Sequence, residues 1–299
     1  YYIDLDLLIK DGLLKRSELE GIDWGSDPEH VDYGRIFENR YRVLRLAYER
    51  GAEKLSAELE SFRRENGWLE NYALYMSLKS HFGMLSWTEW PEEDIRLHKP
   101  EAVAKYSELL RDEIAFHVFI QYLFFKQWDA LRSYAREAGV SFIGDIPIYV
   151  PLDSADVWSE PRFFQLDKDN VPTEVAGVPP DDFTEDGQLW GNPLYDWDAM
   201  KADGYGWWIR RIDGAKKLAK QYHSYVIKID PDVPSSETAY TKMLEDLGFQ
   251  LTGGGATFDA IQPQYVFRLN TEGKTAEELL MSLPQSTRRK VRAGAKKGV

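Results

Sequence analysis

The spacing of apolar residues along the chain predicts two long helical regions followed by a buried strand. Over residues 43–64 and 100–138, apolar residues recur at helical intervals between charged ones, which is typical of amphipathic helices. After Gly139, residues 140–150 form a short apolar run flanked by turn residues, as in a strand that is buried on both faces. A helix that leads into a buried strand indicates an α/β architecture.

Regular periodicity disappears between residues 151 and 197, where Pro, Gly, Asp, Asn and aromatic residues dominate. An irregular stretch of this length is uncommon unless it is functional. Shorter patterns follow, and they predict helices at 214–222, 237–247, 275–283 and 285–297 and strands at 224–229 and 265–269. The second half of the chain is therefore expected to be α/β or α+β.

Charge and aromatic content both change near Ile212. The 299 residues carry a net charge of −13, of which residues 1–211 contribute −16 and residues 212–299 contribute +3. All ten tryptophans lie at or before Trp208. One continuous core would not normally stop using its largest side chain, so we expect two domains, 1–211 and 212–299, joined near Ile212.

Composition also narrows the functional classes. The negative charge disfavours nonspecific binding to nucleic acid, and no apolar stretch or leader indicates a membrane or secreted protein, so a cytoplasmic location is expected. The absence of cysteine excludes disulfides, thiolate metal sites and a cysteine nucleophile, and no pattern indicates a metal or a cofactor. The chain begins at Tyr1 without a methionine, which indicates a fragment.

The irregular stretch concentrates side chains that suit a sugar. Aromatic rings pack against the C–H faces of a sugar ring, and carboxylates and amides bond its hydroxyls. In a (β/α) barrel, the loops after the strands build the active site. The same residue types also serve as helix caps, turn residues and small core side chains, but their density here favours a carbohydrate site. The candidates are Asp145, Asp153, Ser154, Asp156, Trp158, Asp181, Gln188 and Trp190.

Six segments carry a resemblance to a known family. They are YIDLDLL at 2–8, WLENYALYMSLK at 68–79, FHVFIQYLFFKQW at 116–128, IGDIPIYVPLDSADVW at 143–158, AGVPPDDF at 176–183 and GQLWGNPLYDW at 187–197. In this order they resemble the amylomaltases, 4-alpha-glucanotransferases that disproportionate maltodextrins. The resemblance covers residues 1 to about 211 and implies a partial (β/α) TIM barrel with a helical insertion.

The resemblance also implies a chemistry and a set of substrate contacts. In this family a carboxylate attacks the anomeric carbon, a second carboxyl protonates the leaving oxygen, and another sugar replaces water as the acceptor. Asp145 matches an aspartate that contacts the substrate at the end of a barrel strand. Gln188 and Trp190 match residues that contact the glucan near the cleavage point. Asp181 lies in a segment that matches a mobile loop over the site.

None of the catalytic carboxylates has a clear counterpart in this chain. Family members continue after the helix that matches residues 207–211 into a strand ending Arg-Ile-Asp-His, whose aspartate is the nucleophile. Asp230 stands at about the right distance, but Pro231 follows it. We interpret Asp230 as an aspartate at a strand end, and the alternative is that it is the nucleophile. We assign no catalytic residue and expect the chain to be inactive alone.

A second resemblance begins near the predicted joint. Residues 213–233, 258–269 and 286–299 resemble the Fem family of peptidoglycan aminoacyltransferases, which use aminoacyl-tRNA as the donor. This resemblance implies a partial acetyltransferase-like α/β domain, with tRNA as its nucleic acid partner. The basic run at 288–297 would contact RNA or form a solvated helix face.

The two resemblances predict a chimera whose first part recognises maltodextrin or another α-1,4-glucan. Two alternatives stay open at this point. One is Fem-type aminoacyl transfer to a peptidoglycan precursor, and the other is glucan binding without catalysis.

Overall fold

The computed structural model describes residues 1–27, 29–142, 145–178, 186–221, 238–246, 248, 250, 275–282, 285 and 288. Residues Tyr1–Ile209 form one compact unit and Arg210–Val299 form a second. The predicted strands at 224–229 and 265–269, and most of the predicted helix at 285–297, lie outside the described residues.

Helices make up most of the first unit, and side-chain caps mark where they begin. Asp4 accepts hydrogen bonds from two first-turn amides, and Asp32 accepts one from the amide of Arg35. Pro100 occupies a first turn, where an amide proton is not needed. The helices are α1 Leu5–Lys10, α2 Tyr33–Gly51, α3 Ser56–Glu65, α4 Leu69–His81, α5 Glu93–Arg96, α6 Pro100–Leu109, α7 Arg111–Glu137, α8 Ala155–Ser159 and α9 Trp197–Ala202.

Helix α7 contributes side chains to two hydrophobic clusters. The N-terminal cluster contains Ile3, Leu8, Leu13, Leu14, Val43, Leu44, Ala47, Tyr48, Phe116, Phe119, Ile120 and Leu123. The tryptophan cluster includes Ala73, Leu74, Tyr75, Leu78, Trp87, Trp90, Ile95, Ala102, Tyr106, Ile114, Val118, Val150, Val157, Trp158, Phe163, Phe164, Tyr195, Met200 and Trp207. Burial of each large apolar side chain contributes about 1.5–3 kcal/mol, so α7 is the element on which both clusters are built.

Indole N–H groups of the tryptophan cluster donate hydrogen bonds to backbone carbonyl oxygens. Trp158 is 0% exposed, and its Nε1 donates a hydrogen bond to the carbonyl oxygen of Ile95 at 2.9 Å. Trp90 Nε1 donates to the carbonyl oxygen of Leu85 at 3.2 Å. The Trp90 and Trp158 rings meet edge to face with centroids 5.6 Å apart. Because a buried indole N–H without an acceptor is costly, these bonds fix the loops that supply the carbonyl groups.

Asp153 joins α4 to the segment that follows residue 150. Its Oδ2 lies 2.5 Å from Lys79 Nζ, and its Oδ1 accepts hydrogen bonds from the Tyr75 hydroxyl at 2.5 Å and the Trp87 amide at 3.2 Å. The Lys79 side chain is 9% exposed and that of Asp153 is 40% exposed. The Lys79 ammonium therefore depends more on this ion pair than the Asp153 carboxylate does, because water reaches the carboxylate. Burial opposes ionisation of Asp153, but the hydrogen bonds from Lys79, Tyr75 and Trp87 outweigh burial and lower its pKa.

A short antiparallel hairpin follows, formed by β1 Val175–Val178 and β2 Gln188–Pro193. The register shifts between Val175 and Gly177, as at a β-bulge. A Cβ atom on Gly177 would lie 2.6 Å from the carbonyl oxygen of Gln188. Only glycine lets the two backbones come this close, so Gly177 sets the position of β2.

The predicted helices over 43–64 and 100–138 are confirmed, each as two helices, α2 with α3 and α6 with α7. Further along the chain, the helices predicted at 214–222, 237–247 and 275–283 are confirmed where the structure describes them, in α10 Gly206–Gln221, α11 Thr238–Asp246 and α12 Ala276–Ser282. Helical periodicity was sufficient here because each helix makes its backbone hydrogen bonds within itself.

The buried strand predicted over residues 140–150 is wrong where the structure describes it. Residues 140–142 and 145–150 form no strand, and the side chains of Ile146 and Ile148 are 38% and 63% exposed. A strand needs a hydrogen-bonded neighbour, and no strand pairs with this segment among the described residues. The apolar run alone could not supply that neighbour.

The described residues are mostly helical, and their only two named strands are β1 and β2. These strands pair with each other in antiparallel orientation, so they are not the parallel strands of a TIM barrel. The partial barrel and the acetyltransferase-like domain therefore stay predictions. The same holds for the predicted boundary between 1–211 and 212–299.

We expect Asp153→Asn to lower the free energy of unfolding by about 2–3 kcal/mol, because a neutral amide leaves the buried Lys79 ammonium uncompensated. Lys79→Met should cost less than about 1.5 kcal/mol, since it removes the buried charge and leaves a half-exposed carboxylate in contact with water. Urea unfolding measures both values. Equal losses of unfolding free energy in the two variants would contradict the view that the uncompensated Lys79 ammonium causes the larger loss.

The contribution of Asp153 should also depend on pH. Its pKa is lower in the folded protein than its ordinary value of 3.8, so its stabilisation is present above that value and is lost as the pH falls through the folded pKa. The difference in unfolding free energy between the native chain and Asp153→Asn should therefore shrink between pH 6 and pH 2.5, as measured by urea unfolding. A difference that grows on acidification would show that Asp153 is not stabilised as the anion.

Gly177→Ala should destabilise the hairpin by about 1–3 kcal/mol, because the added methyl group overlaps the carbonyl oxygen of Gln188. Gly67→Ala is a matched control, since a Cβ there has nothing within 4 Å. Thermal unfolding compares the two variants. If both melt together with the native chain, the close approach at Gly177 does not constrain the hairpin.

Candidate functional site

Gln188 and Trp190 lie on the same face of β2, because side chains two residues apart on a strand point the same way. The Trp190 ring is 46% exposed, and its Nε1 donates a hydrogen bond to Gln188 Oε1 at 3.0 Å. This bond orients both side chains. It uses the Oε1 atom of Gln188, and Gln188 is an exposed residue. The structure therefore brings these two sequence-predicted residues together.

Asp145 lies on the irregular segment that precedes Tyr149. The residue is exposed, and its Oδ1 accepts a hydrogen bond from the amide of Ile146 at 2.8 Å. An exposed carboxylate of this kind keeps lone pairs that can accept hydrogen bonds from a ligand. Asp181, the fourth predicted contact, lies outside the described residues.

Tyr149 connects this segment to the hairpin. Its ring stacks on Tyr195 with centroids 5.8 Å apart and an angle of 17° between the planes. It also meets Trp190 edge to face, with centroids 6.3 Å apart. The Tyr195 hydroxyl donates a hydrogen bond to the carbonyl oxygen of Ile148 at 2.7 Å. These contacts place the segment that carries Asp145 beside the strand that carries Gln188 and Trp190.

The resulting surface combines aromatic rings with an amide and a carboxylate. Trp190 and the half-buried Tyr149 offer aromatic surface, and Gln188 and Asp145 offer hydrogen-bonding groups on exposed residues. This combination suits a sugar, because the C–H faces of a sugar ring are apolar and its hydroxyl groups both donate and accept hydrogen bonds. We call Tyr149, Gln188 and Trp190 the aromatic platform.

Three other residues of the predicted sugar-binding cluster have structural roles instead. Trp158 is fully buried in the tryptophan cluster, and Ser154 caps α8 by accepting a hydrogen bond from the amide of Val157. Asp153 binds Lys79 and Tyr75. Capping and core packing use the same residue types as sugar binding, so composition alone could not separate these roles.

Sequence reasoning assigned no role in ligand binding to Tyr149 and Tyr195. Tyr149 falls in the apolar run that was interpreted as a buried strand, which concealed its position at the surface of the cluster. The sequence carries one indirect signal, Pro151, which favours extended backbone at Val150, the residue that follows Tyr149.

The described residues also bear on metal binding and membrane insertion. In that part of the chain, no group of three or more His, Cys, Asp or Glu side chains is arranged to hold a metal ion. No helix there has the length and apolar character needed to cross a membrane.

Family profiles divide the chain into two overlapping ranges. The profile described as 4-alpha-glucanotransferase matches residues 1–230, and the FemAB family profile matches residues 216–299. The overlap at 216–230 includes Asp230, so the first profile reaches the residue that stands where the nucleophile is expected.

Curated relatives carry the same description. The 4-alpha-glucanotransferase of Streptococcus pneumoniae serotype 4 is 46% identical over 220 residues, which cover 73% of this chain and 44% of that protein. The enzyme of Thermus thermophilus is 44% identical over 223 residues, covering 73% of this chain and 43% of that protein. The chain thus spans less than half the length of these relatives.

A solved structure agrees with these matches. The amylomaltase from Streptococcus agalactiae in complex with acarbose is 42% identical and superposes with a TM-score of 0.68, covering 72% of this chain and 44% of that one. Both sequence and fold of the first unit are therefore amylomaltase-like. Through residues 1–230, the chain belongs to the 4-alpha-glucanotransferase family.

Proposed function

We propose that this chain binds an α-1,4-glucan such as a maltodextrin through Asp145, Gln188 and Trp190, with Asp181 as a further contact. The observation that carries the proposal is the aromatic platform, in which Trp190 is exposed beside Gln188 and Tyr149. The amylomaltase of Streptococcus agalactiae, which is similar over 72% of the chain, is described as a complex with acarbose. The partial barrel and a cytoplasmic location are parts of this proposal.

We further propose that the chain binds glucan without transferring it. Retaining transfer needs a nucleophile and an acid that protonates the leaving oxygen. We interpret Asp230 as an aspartate at a strand end, with the nucleophile as the alternative, and the sequence motifs offer no counterpart of the acid. The match of residues 216–299 to the FemAB family supports this interpretation. Loss of general acid catalysis alone typically costs about 10²–10⁴-fold in rate.

The FemAB match supports a second candidate function, aminoacyl transfer by residues 216–299 through a partial acetyltransferase-like domain. Incorporation of a labelled amino acid from aminoacyl-tRNA into a peptidoglycan precursor would test it. The absence of incorporation, together with glucan binding, would leave the first function as the one this chain performs.

Trp190→Ala should weaken maltoheptaose binding at least tenfold, about 1.4 kcal/mol, because it removes the exposed ring of the platform. Trp68→Ala is a matched control, since Trp68 is also 46% exposed and its Nε1 also bonds to a residue two positions away. Isothermal titration of the full chain measures both. Equal affinities in all three proteins would remove Trp190 from the site.

Incubation of the full chain with maltotriose should leave the maltotriose unchanged, with no release of glucose and no longer maltodextrins, as followed by chromatography. If redistribution does occur, the proposal of binding without transfer is wrong. Asp230→Asn then identifies the nucleophile, since transfer that is lost in this variant assigns the role to Asp230, and transfer that persists excludes it.

A further inference from the structure

We infer that the ion pair between Lys79 and Asp153 is a positioning device, through which helix α4 sets the position of the aromatic platform. Its effect on glucan affinity depends on the proposed function, whereas its effect on the position of Trp190 does not. Lys79 and Asp153 are not contacts of the platform themselves. They act on it through the segment between Ile148 and Asp153.

The first step is the attachment of Asp153 to the helical part of the unit. Asp153 accepts hydrogen bonds from Lys79 and Tyr75 of α4 and from the amide of Trp87. All three donor residues are buried, at 7%, 4% and 1% exposed. Donors held in a packed core cannot follow a moving acceptor, so the position of Asp153 is imposed by α4.

The second step is the backbone just before Asp153. Trp87 Nε1 donates a hydrogen bond to the carbonyl oxygen of Leu152 at 2.7 Å, and Val150 is buried in the tryptophan cluster. The same tryptophan therefore bonds Asp153 through its amide and Leu152 through its ring. With these attachments, the chain from Val150 to Asp153 has little freedom to shift relative to α4.

The third step is the platform itself. Tyr149 precedes Val150 directly, and its ring is in contact with Tyr195 and Trp190. The Tyr195 hydroxyl holds the carbonyl oxygen of Ile148. A displacement of the segment would therefore move Tyr149 against Trp190 and change the aromatic surface that a sugar ring would meet.

Neutral hydrogen bonds are sufficient to stabilise a loop, whereas the contact between Lys79 and Asp153 is an ion pair. A buried ammonium tolerates misplacement of its carboxylate poorly: Lys79 Nζ also donates a hydrogen bond to the carbonyl oxygen of Met84 at 3.1 Å, but among its partners only Asp153 supplies the opposite charge. The bond also spans 74 residues of sequence, from α4 to the segment beside the platform. Precise placement of this kind is what a binding surface needs from the residues that support it.

The experiment uses the full chain labelled with 5-fluorotryptophan. The Trp190 resonance in the ¹⁹F NMR spectrum is assigned as the one that Trp190→Phe lacks. Asp153→Ala, which removes the acceptor of all three donors, should shift or broaden this resonance in the absence of any glucan. Lys79→Met and Tyr75→Phe each remove one donor and should produce smaller changes in the same resonance, so the test does not depend on the folding of one variant.

Glu18→Ala is the matched control. Glu18 also accepts hydrogen bonds from one charged side chain, Arg50, and from a backbone amide, that of Lys15, but it joins the segment Arg16–Glu18 to α2. The hydrogen bonds from Arg50 and from the amide of Lys15 lower the pKa of Glu18 to about 2, so Glu18 is ionised at neutral pH, as a matched ion pair requires. Its loss should lower the melting temperature while leaving the Trp190 resonance in place.

Titration with maltoheptaose completes the test. If the platform binds glucan, Asp153→Ala should weaken the affinity at least fivefold and Glu18→Ala less than twofold. A Trp190 resonance that is unchanged in Asp153→Ala, or an equal change in Glu18→Ala, overturns the positioning role. If the native chain binds no maltoheptaose, the proposed function fails, and the resonance still decides whether the ion pair positions Trp190.

Discussion

The first unit depends on a buried ammonium that has one carboxylate partner. The Lys79 side chain, on α4, is 9% exposed, and Asp153 supplies the opposite charge that makes its burial tolerable. Because Asp153 lies in the irregular segment and Lys79 lies in α4, one ion pair contributes both to the stability of the helices and to the path of the loop.

The sequence was informative where structure is local. Helices α2, α3, α6 and α7 follow from the spacing of apolar residues, since a helix satisfies its own backbone. The strand predicted at 140–150 is wrong because a strand requires a hydrogen-bonded neighbour, which the periodicity of one segment does not reveal. The pairing of Lys79 with Asp153 was invisible for a similar reason, since 74 residues separate them.

The candidate site also combines features that are local in sequence with contacts between distant residues. Gln188 and Trp190 could be predicted from the family motif, and their spacing of two on a strand places them together. Trp158 and Asp153 belong to the same loop composition but point to the core and to Lys79. Tyr149 and Tyr195 required the fold, because their partners come from separate parts of the chain.

Helix α7 has a consequence for how the first unit unfolds. Its 27 residues place Phe119 and Leu123 in the N-terminal cluster and Ile114 and Val118 in the tryptophan cluster. Neither cluster can lose α7 without exposing the other, so the two are coupled into one cooperative transition. Damage to the N-terminal cluster therefore lowers the population of the folded platform even though no atom of the platform is touched.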